Sequence, residues 1–253
     1  DLTFNMSRMP HVSQAVSNRK RGRFTKEQLK VIEHWRAGFA KQWISTQKRE
    51  AEGLKPTARY FTGKAVNIHR YDRCRFYMLY TMVYNTALRP SEVPHIRFCD
   101  IRLTEEGDEA YTWINVRAEA AKKMRDGKGK PRTAISSNLD TLWKRCEMWK
   151  KEWTRHFGRE PRIGTDHTDS DLVFPNPRDA NRVGRHVPLV KHALERISEE
   201  KDFIVHGNWV YDANFPDGKA WKQNTLYSVR SAYITNQLRN GIQLHHLSLQ
   251  CGS

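Results

Sequence analysis

Long apolar runs and paired cysteines are both missing from this sequence. A helix needs about 20 consecutive apolar residues to cross a bilayer, and because no run approaches that length, no membrane-spanning segment is expected. The cysteines form no C-x-x-C pair and have no histidine nearby at zinc-ligand spacing, so no metal site is predicted. They are Cys74, Cys99, Cys146 and Cys251. Free thiols in a reducing cytoplasm are the simplest account of them.

Acidic residues are scarce relative to basic ones. Asp and Glu total 28 against 44 for Lys and Arg, which gives a net charge of +16. This excess favours a polyanionic partner, although a solvated basic surface accounts for charge alone. The 253 residues, 38% of them hydrophobic, are enough for one large domain or for one domain with an ordered arm.

Hydrophobic periodicity is almost absent from residues 1–23. The chain starts at Asp1 rather than at a methionine followed by an apolar signal core, which indicates a fragment boundary. The segment ends in a cluster of basic residues: Arg19, Lys20, Arg21 and Arg23. It is interpreted as a basic arm or interdomain linker, and residues 24–253 as the folded domain.

Helical periodicity dominates the folded domain. Thr25 and Gln28 have the spacing of a capping box, and apolar residues follow at helical spacing as far as Phe39. Residues 41–70 are expected to hold one more short helix and a loop. Further helices are predicted over 76–84, 90–93, 138–153, 187–199, 225–241 and 242–250.

Strands are predicted in only a few places. Residues 111–117 and 132–136 form a hairpin, and residues 172–174 form a short buried strand closed by Pro175. Residues 202–224, rich in Gly, Asn, Asp and aromatics, indicate a surface excursion. The predicted fold class is therefore α+β, mainly helical, with a small antiparallel sheet or hairpin.

Two arginines are predicted at helix starts, where the helix dipole disfavours a cation and favours an anion. They are Arg89 and Arg230. Glu92, one turn after Arg89, is an ordinary ion-pair partner for it, whereas a phosphate shared by both arginines is the functional alternative. Between them the hairpin carries six cations, which either wrap a nucleic-acid backbone or protect a solvated sheet edge. These are Lys122, Lys123, Arg125, Lys128, Lys130 and Arg132.

The segments around the two arginines resemble the two sequence boxes of the tyrosine recombinases, or phage integrases. Residues 86–101, TALRPSEVPHIRFCDI, are similar to T-G-L-R-x-x-E followed by W-x-D-I, with the glycine and tryptophan replaced. Residues 225–235, TLYSVRSAYIT, followed by Leu238 and Gly241, are similar to T-x-H-x-L-R-H-x-x-A-T-x-L-x-x-G. Together the boxes indicate the catalytic domain of this family over residues 24–253.

The resemblance implies site-specific recombination of double-stranded DNA through a 3′-phosphotyrosyl intermediate, without metal or other cofactor. Arg89 and Arg230 would hold the scissile phosphate, with Glu92 orienting Arg89. A hairpin lysine would protonate the leaving 5′ oxygen, with Lys123 the first choice and Lys128 the second. The basic arm and the remaining hairpin cations would bind DNA. A homotetramer on DNA, without membrane association, and the cytoplasm of a bacterial or phage-infected cell are implied.

Two departures from the family pattern bear on activity. Tyr227 stands where the family has His, and a phenol with an ordinary pKa near 10 is a poor general base at neutral pH. Cys251, Gly252 and Ser253 stand where the family has L-G-H, and the nucleophilic tyrosine would follow. Tyr233 is the only tyrosine after Arg230, at a spacing typical of a core residue. The chain as given is therefore expected to be truncated and inactive.

Three alternatives stay open. A type IB topoisomerase shares the Arg-Lys-Arg chemistry but relaxes DNA instead of exchanging partners. A non-catalytic DNA-binding protein of the same fold would keep the phosphate contacts without the nucleophile. An RNA-binding domain would expose aromatic side chains for stacking, whereas most aromatics here are predicted on helical core stripes.

Overall fold

The computed structural model describes residues 22–61, 66–106, 109–121, 129–136, 141–211 and 217–251. Helices dominate this part of the chain, and short antiparallel strands complete it. The helices are α1 Lys26–Ala51, α2 Val66–Thr86, α3 Thr141–Phe157, α4 Val187–Lys201, α5 Leu226–Arg239 and α6 Leu244–Cys251. The strands are β1 Ile101–Glu106, β2 Glu109–Val116, β3 Arg132–Ile135, β4 Pro175–Asn176, β5 Asp179–Val183, β6 Gly207–Tyr211 and β7 Lys219–Gln223. The predicted α+β, mainly helical class is confirmed.

Helix α1 begins at the predicted capping box. The Thr25 hydroxyl accepts a hydrogen bond from the Gln28 backbone N–H at 3.2 Å, and the Gln28 side-chain oxygen accepts one from the Thr25 backbone N–H at 3.0 Å. The prediction of a separate short helix after residue 41 was wrong for its first part. Trp43 and Thr46 continue the buried face of α1, so the helix runs on to Ala51. A 3-10 turn, Arg59–Phe61, precedes α2.

Helix α2 occupies the centre of the domain. Residues 74 and 76–83 are all buried, which confirms the prediction of a segment that is apolar on nearly every side. Its neighbours include α3, α4 and α5. Aromatic rings on α1 stack against it, as Phe39 does on Tyr77 with ring centroids 5.5 Å apart. This central helix ends at Thr86, the first residue of the first sequence box.

The main sheet has the antiparallel order β1-β2-β3. The predicted strands appear as β2 and β3, but β1 was not predicted. Arg102, Thr104 and Glu105 make β1 polar enough to read as loop, and its position depends on pairing with β2, where Ile101 faces Ile114. The turn residues 122–128 lie outside the described residues.

Two other segments differ in part from expectation. Residues 172–174 are buried as predicted, but only Leu172 pairs, through one bridge to Arg97. Strand β4 begins instead at Pro175, a first strand position at which proline is tolerated. The excursion at 202–224 contains the hairpin β6–β7. Asn138, the expected cap of α3, lies outside the described residues.

The carboxyl-terminal elements follow the prediction. Thr225 caps α5 by accepting a hydrogen bond from the Tyr227 backbone N–H at 3.2 Å. Gly241 has a φ of +83°, as a glycine after a helix end should. Helix α6 follows, and all four cysteines are free thiols. Within the described ranges no helix is long and apolar enough to span a bilayer.

Candidate active site

Arg89 lies in the bend that follows α2. Ala87 enters this bend with a φ of +54°, a left-handed conformation, at the position where the resembled family has glycine. The prediction that a helix restarts at Pro90 was wrong in kind: residues 90–92 form a turn and Val93–His95 a single 3-10 turn. The helix-dipole argument for Arg89 therefore fails. What fixes this arginine is a carboxylate.

Glu92 is that carboxylate, and it is fully buried. Its Oε2 accepts a hydrogen bond from the Arg89 backbone N–H at 2.7 Å, and its Oε1 accepts one from Arg89 Nη1 at 2.9 Å. The same Oε2 accepts a third bond from Arg132 Nη2 at 2.6 Å. One carboxylate thus binds two guanidinium groups from distant parts of the chain. The ion-pair prediction for Arg89 and Glu92 is confirmed.

Arg132 belongs to this site. It is the first residue of β3, its side chain is 9% exposed, and its Nη1 donates to the Gln250 carbonyl oxygen at 2.6 Å. Burial lowers its pKa, the charge of Glu92 opposes that effect, and the charge of Arg89 adds to it. The sequence placed Arg132 among the hairpin cations, but its buried head group is held inside the domain.

Arg230 enters from the second turn of α5. Its Nη1 donates to the Ala87 carbonyl oxygen, two residues before Arg89, and its Nη2 donates to the Cys251 carbonyl oxygen at 3.0 Å. Burial lowers the pKa of Arg230, and the charges of Arg89 and Arg132 lower it further, against the opposing influence of Cys251 and Glu92. The site therefore gathers positive charge that its own groups compensate only in part.

Helix α6 closes one side of the cluster with its carboxyl end. The backbone carbonyls of Gln250 and Cys251 accept from the two arginines just described, where the negative end of the helix dipole favours cations. Gln250 Nε2 donates to the Ile135 carbonyl at 2.7 Å and to the Tyr233 hydroxyl at 2.9 Å. Tyr233 is buried, as predicted. Burial raises the pKa of the Cys251 thiol, although nearby arginines oppose the shift.

Sequence reasoning missed Gln250 and Cys251 as parts of the site. Their contribution is made through backbone carbonyls, which leave no signal in residue type. The signal for Arg132 was present only as one cation among six in the hairpin.

Tyr227 lies on another side of the site. It lines a cavity of about 560 Å³ between the bend at Pro90 and Pro94 and the start of α4, where Arg185 and His186 also contribute. The phenol thus borders a cavity whose lining includes Pro90, the residue after Arg89 in the chain. Three of the predicted catalytic residues are described. Arg230 bonds to the backbone two residues before Arg89, and Tyr227 lies one helical turn before Arg230.

The other predicted residues divide into two groups. Arg23 and Lys130 are exposed at the surface. The remainder lie outside the described residues, so their roles stay predictions: Arg19, Lys20, Arg21, Lys122, Lys123, Arg125, Lys128 and Ser253. The choice between Lys123 and Lys128 as the proton donor stays open. In the described part of the chain no three His, Cys, Asp or Glu side chains are grouped to hold a metal ion.

Comparison with known proteins connects this geometry to a fold. A scan against protein-family models and a search of curated protein sequences found no match. Among solved structures, one match is the pre-cleavage complex of XerH site-specific recombinase bound to difH substrate. The match covers 91% of this chain and 46% of the XerH chain, with a TM-score of 0.50 and 13% sequence identity. A second match is the post-cleavage complex of XerH with palindromic difH substrate. It covers 99% of this chain and 51% of the XerH chain, again with a TM-score of 0.50 and 13% sequence identity.

A further match is XerA recombinase, which covers 87% of this chain and 72% of its own at a TM-score of 0.43 and 14% identity. The chain spans about half the length of the XerH chains. At such identities the likeness concerns the fold alone. The resemblance noted in the two sequence boxes is confirmed at that level, and the chain has a tyrosine-recombinase-like fold.

Proposed function

We propose that this chain binds duplex DNA as part of a site-specific recombinase and that Arg89 and Arg230 hold the scissile phosphate. The observation that supports this most directly is a cluster of three buried or half-buried guanidinium groups. Arg89 and Arg132 both bond to the Glu92 carboxylate, and Arg230 bonds to the carbonyl oxygen two residues before Arg89. Burial of like charges is costly unless an anion compensates them. A phosphodiester supplies that anion, and arginine matches its oxygens geometrically.

The chemistry proposed for the site is an in-line displacement at phosphorus. A tyrosine hydroxyl releases its proton to solvent as its oxygen forms a bond to the phosphorus, the bond from phosphorus to the 5′ oxygen breaks, and a lysine proton is delivered to that leaving oxygen. Arg89 and Arg230 would offset the negative charge that develops on the non-bridging oxygens. The proton would come from Lys123, or from Lys128. Tyr227 would donate a hydrogen bond to the phosphate rather than act as a base.

Arg230 has the capacity for this role. A guanidinium carries five N–H donors, and the bonds to the Ala87 and Cys251 carbonyls use two of them. Arg132 and Glu92 would act as positioning residues, because they contact Arg89 and α6 and are themselves buried. Residues 1–23 are proposed to act as the basic arm, residues 24–253 as the catalytic domain, and four copies are proposed to assemble on DNA.

A non-catalytic DNA-binding role is the second candidate. The observation in its favour is the phenol of Tyr227 at the position where the resembled family has an imidazole, since a phenol is poorly suited to take up a proton at neutral pH. This candidate keeps the arginine contacts to phosphate and predicts binding without strand cleavage.

The deciding experiment is a strand-cleavage assay on DNA carrying the recombination site, using protein expressed from its full reading frame. We expect Arg89→Ala and Arg230→Ala each to reduce covalent protein–DNA product by about a hundredfold to a thousandfold, as loss of one key electrostatic donor does elsewhere. Arg178→Ala, an exposed arginine on the β4–β5 turn, is the matched control. Full cleavage by either site variant would overturn the proposal.

DNA binding measured together with covalent product, and relaxation of supercoiled DNA, separate the candidates. Affinity for DNA should fall steeply with added salt whether or not the protein is an enzyme, because phosphate contacts release counterions. Tight, salt-sensitive binding without covalent product would favour the non-catalytic role. Relaxation of supercoiled DNA without exchange of partners would instead favour a type IB topoisomerase.

A further inference from the structure

The hairpin β6–β7 carries three aromatic side chains on one exposed face. Trp209 is 66% exposed, Tyr211 81% and Trp221 37%. The strand register places Trp209 directly opposite Trp221, with ring centroids 5.5 Å apart, and Tyr211 opposite Lys219. Three neighbouring aromatics on a solvent-facing ribbon are unusual, because rings of this size are normally buried in a core or an interface.

Two glycines let the aromatic rings approach the ribbon closely. A Cβ on Gly207 would come within 2.5 Å of Cζ2 of Trp221, and a Cβ on Gly218 within 3.1 Å of Cε2 of Tyr211. Each ring therefore packs against backbone that only glycine leaves uncovered. Since both side chains remain substantially exposed, the ring surface turned away from the ribbon is open to a partner.

The ribbon is fixed to the rest of the domain by polar contacts. Gln28 Nε2 donates to the Gly207 carbonyl oxygen at 3.1 Å and to Asn208 Oδ1 at 2.8 Å. Asn208 Nδ2 donates in turn to the Arg23 carbonyl oxygen at 2.7 Å, and the Gly22 N–H donates to the Gln223 carbonyl oxygen at 2.7 Å. The aromatic face is thus carried on a ribbon that is hydrogen-bonded to the domain, and Gly22 and Arg23 bond to that ribbon.

The charge around the ribbon suits a polyanion. Lys219 is exposed across from Tyr211, and Arg23 and Lys26 are exposed where the arm meets α1. A cleft of about 380 Å³ beside this edge is lined by Arg23, Lys26 and Arg239, among other residues. Aromatic faces beside cations match nucleic acid, whose bases stack and whose backbone is anionic.

We propose that the β6–β7 face is a stacking platform for unpaired bases of the DNA substrate. This inference rests on the proposed function. Strand exchange requires bases next to the cut to leave one helix before they pair in another, and unpaired bases offer faces that a duplex hides. The ribbon is well placed for such a role in the chain, because β7 ends at Gln223 and α5, which carries Arg230, begins at Leu226.

The test measures the affinity of the chain for two DNAs of equal length by fluorescence anisotropy. One DNA is fully paired, and the other has an unpaired bubble at the site. We expect the wild-type chain to bind the bubble more tightly. Trp209→Ala and Tyr211→Ala should each weaken bubble binding by about tenfold, the loss typical of one stacked base, and change duplex binding by less than about twofold. Trp209→Tyr should keep most of the preference.

The control is Ile163→Ala, which removes an exposed apolar side chain from the 158–170 loop. Because Trp209 and Tyr211 are largely exposed, their variants should fold, and unchanged thermal melting verifies this. Equal losses on bubble and duplex, or no loss on either, would overturn the platform. If the platform is overturned in this way while the protein still cleaves DNA, the proposed function is unaffected. A wild-type chain that binds neither DNA refutes both proposals.

Discussion

Replacement of the buried Glu92 carboxylate is the sharpest test of how the arginine cluster is held together. In Glu92→Gln the side chain keeps its shape and one oxygen acceptor. With that oxygen at the Oε2 position, the bonds from the Arg89 backbone and from Arg132 survive. The amide nitrogen then faces Arg89 Nη1, which also donates, so a charge-assisted bond of 2.9 Å becomes a clash between donors.

The size of the effect follows from burial. Removing one partner of a buried ion pair costs about 3–5 kcal/mol of unfolding free energy. Because two of the hydrogen bonds survive in this variant, we expect a loss of about 3 kcal/mol. In a domain of this size each kcal/mol shifts the melting temperature by about 2–4 °C, so a fall of about 6–12 °C is expected. Added DNA should reduce the difference in melting temperature between the variant and the wild type, because bound phosphate replaces part of the missing negative charge.

Urea unfolding followed by circular dichroism measures the loss directly. Glu147→Gln is the control, since Glu147 pairs with Lys150 and is 45% exposed, and exposed pairs contribute at most about 1 kcal/mol. A Glu92→Gln variant within about 0.5 kcal/mol of the wild type would refute the claim that this carboxylate compensates two buried arginines.

Two more predictions concern the same region. Ala87→Gly relieves the strain that a Cβ brings at a φ of +54°, but it also removes a fully buried methyl group and gives the unfolded chain more conformational freedom. These effects of about 1 kcal/mol each oppose one another, so we expect a melting temperature no higher than that of the wild type; differential scanning calorimetry checks it, and a rise of about 3 °C or more would contradict it. His186 is buried and its pKa is lowered to about 3, first by burial and then by the charges of Arg75 and His95. Below about pH 6.5 this imidazole binds a proton in the unfolded chain but not in the folded chain. The free energy of unfolding should therefore decline as the pH falls from 6.5 towards 3. His186→Gln should flatten that decline in urea midpoints measured across this range, and an unchanged slope would argue against the assignment.

Local signals in the sequence were sufficient for several helices. Thr25 with Gln28 and Thr225 with its helix are caps whose hydrogen bonds join neighbours in the chain, so residue type and spacing predict them. The extension of α1 to Ala51 was missed because its polar, basic surface masks the buried stripe that Trp43 and Thr46 continue. Strand β1 was missed because its polar sequence is ordered by pairing across the sheet.

The candidate site could be predicted only in outline. Arg89 and Arg230 stand out in the sequence boxes, but the reason for their convergence is tertiary, since Arg230 bonds to the carbonyl of Ala87. Arg132 resembles its neighbouring cations in sequence and differs from them in being buried. The surface position of the aromatic-rich segment 202–224 was predicted, but the hairpin β6–β7 within it was not. Its position depends on contacts between residues distant in sequence, such as Gln28 and Asn208, which are 180 positions apart.

The arginine cluster is ordered before any ligand arrives, and this has an entropic consequence. A free arginine side chain has rotamer entropy of about 2 kcal/mol at room temperature. Arg89, Arg132 and Arg230 are each bonded to a buried carboxylate or to backbone carbonyls, so most of a total of about 6 kcal/mol of rotamer entropy is lost during folding. An anion that enters the site therefore meets donors already in place, and its binding free energy is not reduced by the need to immobilise them.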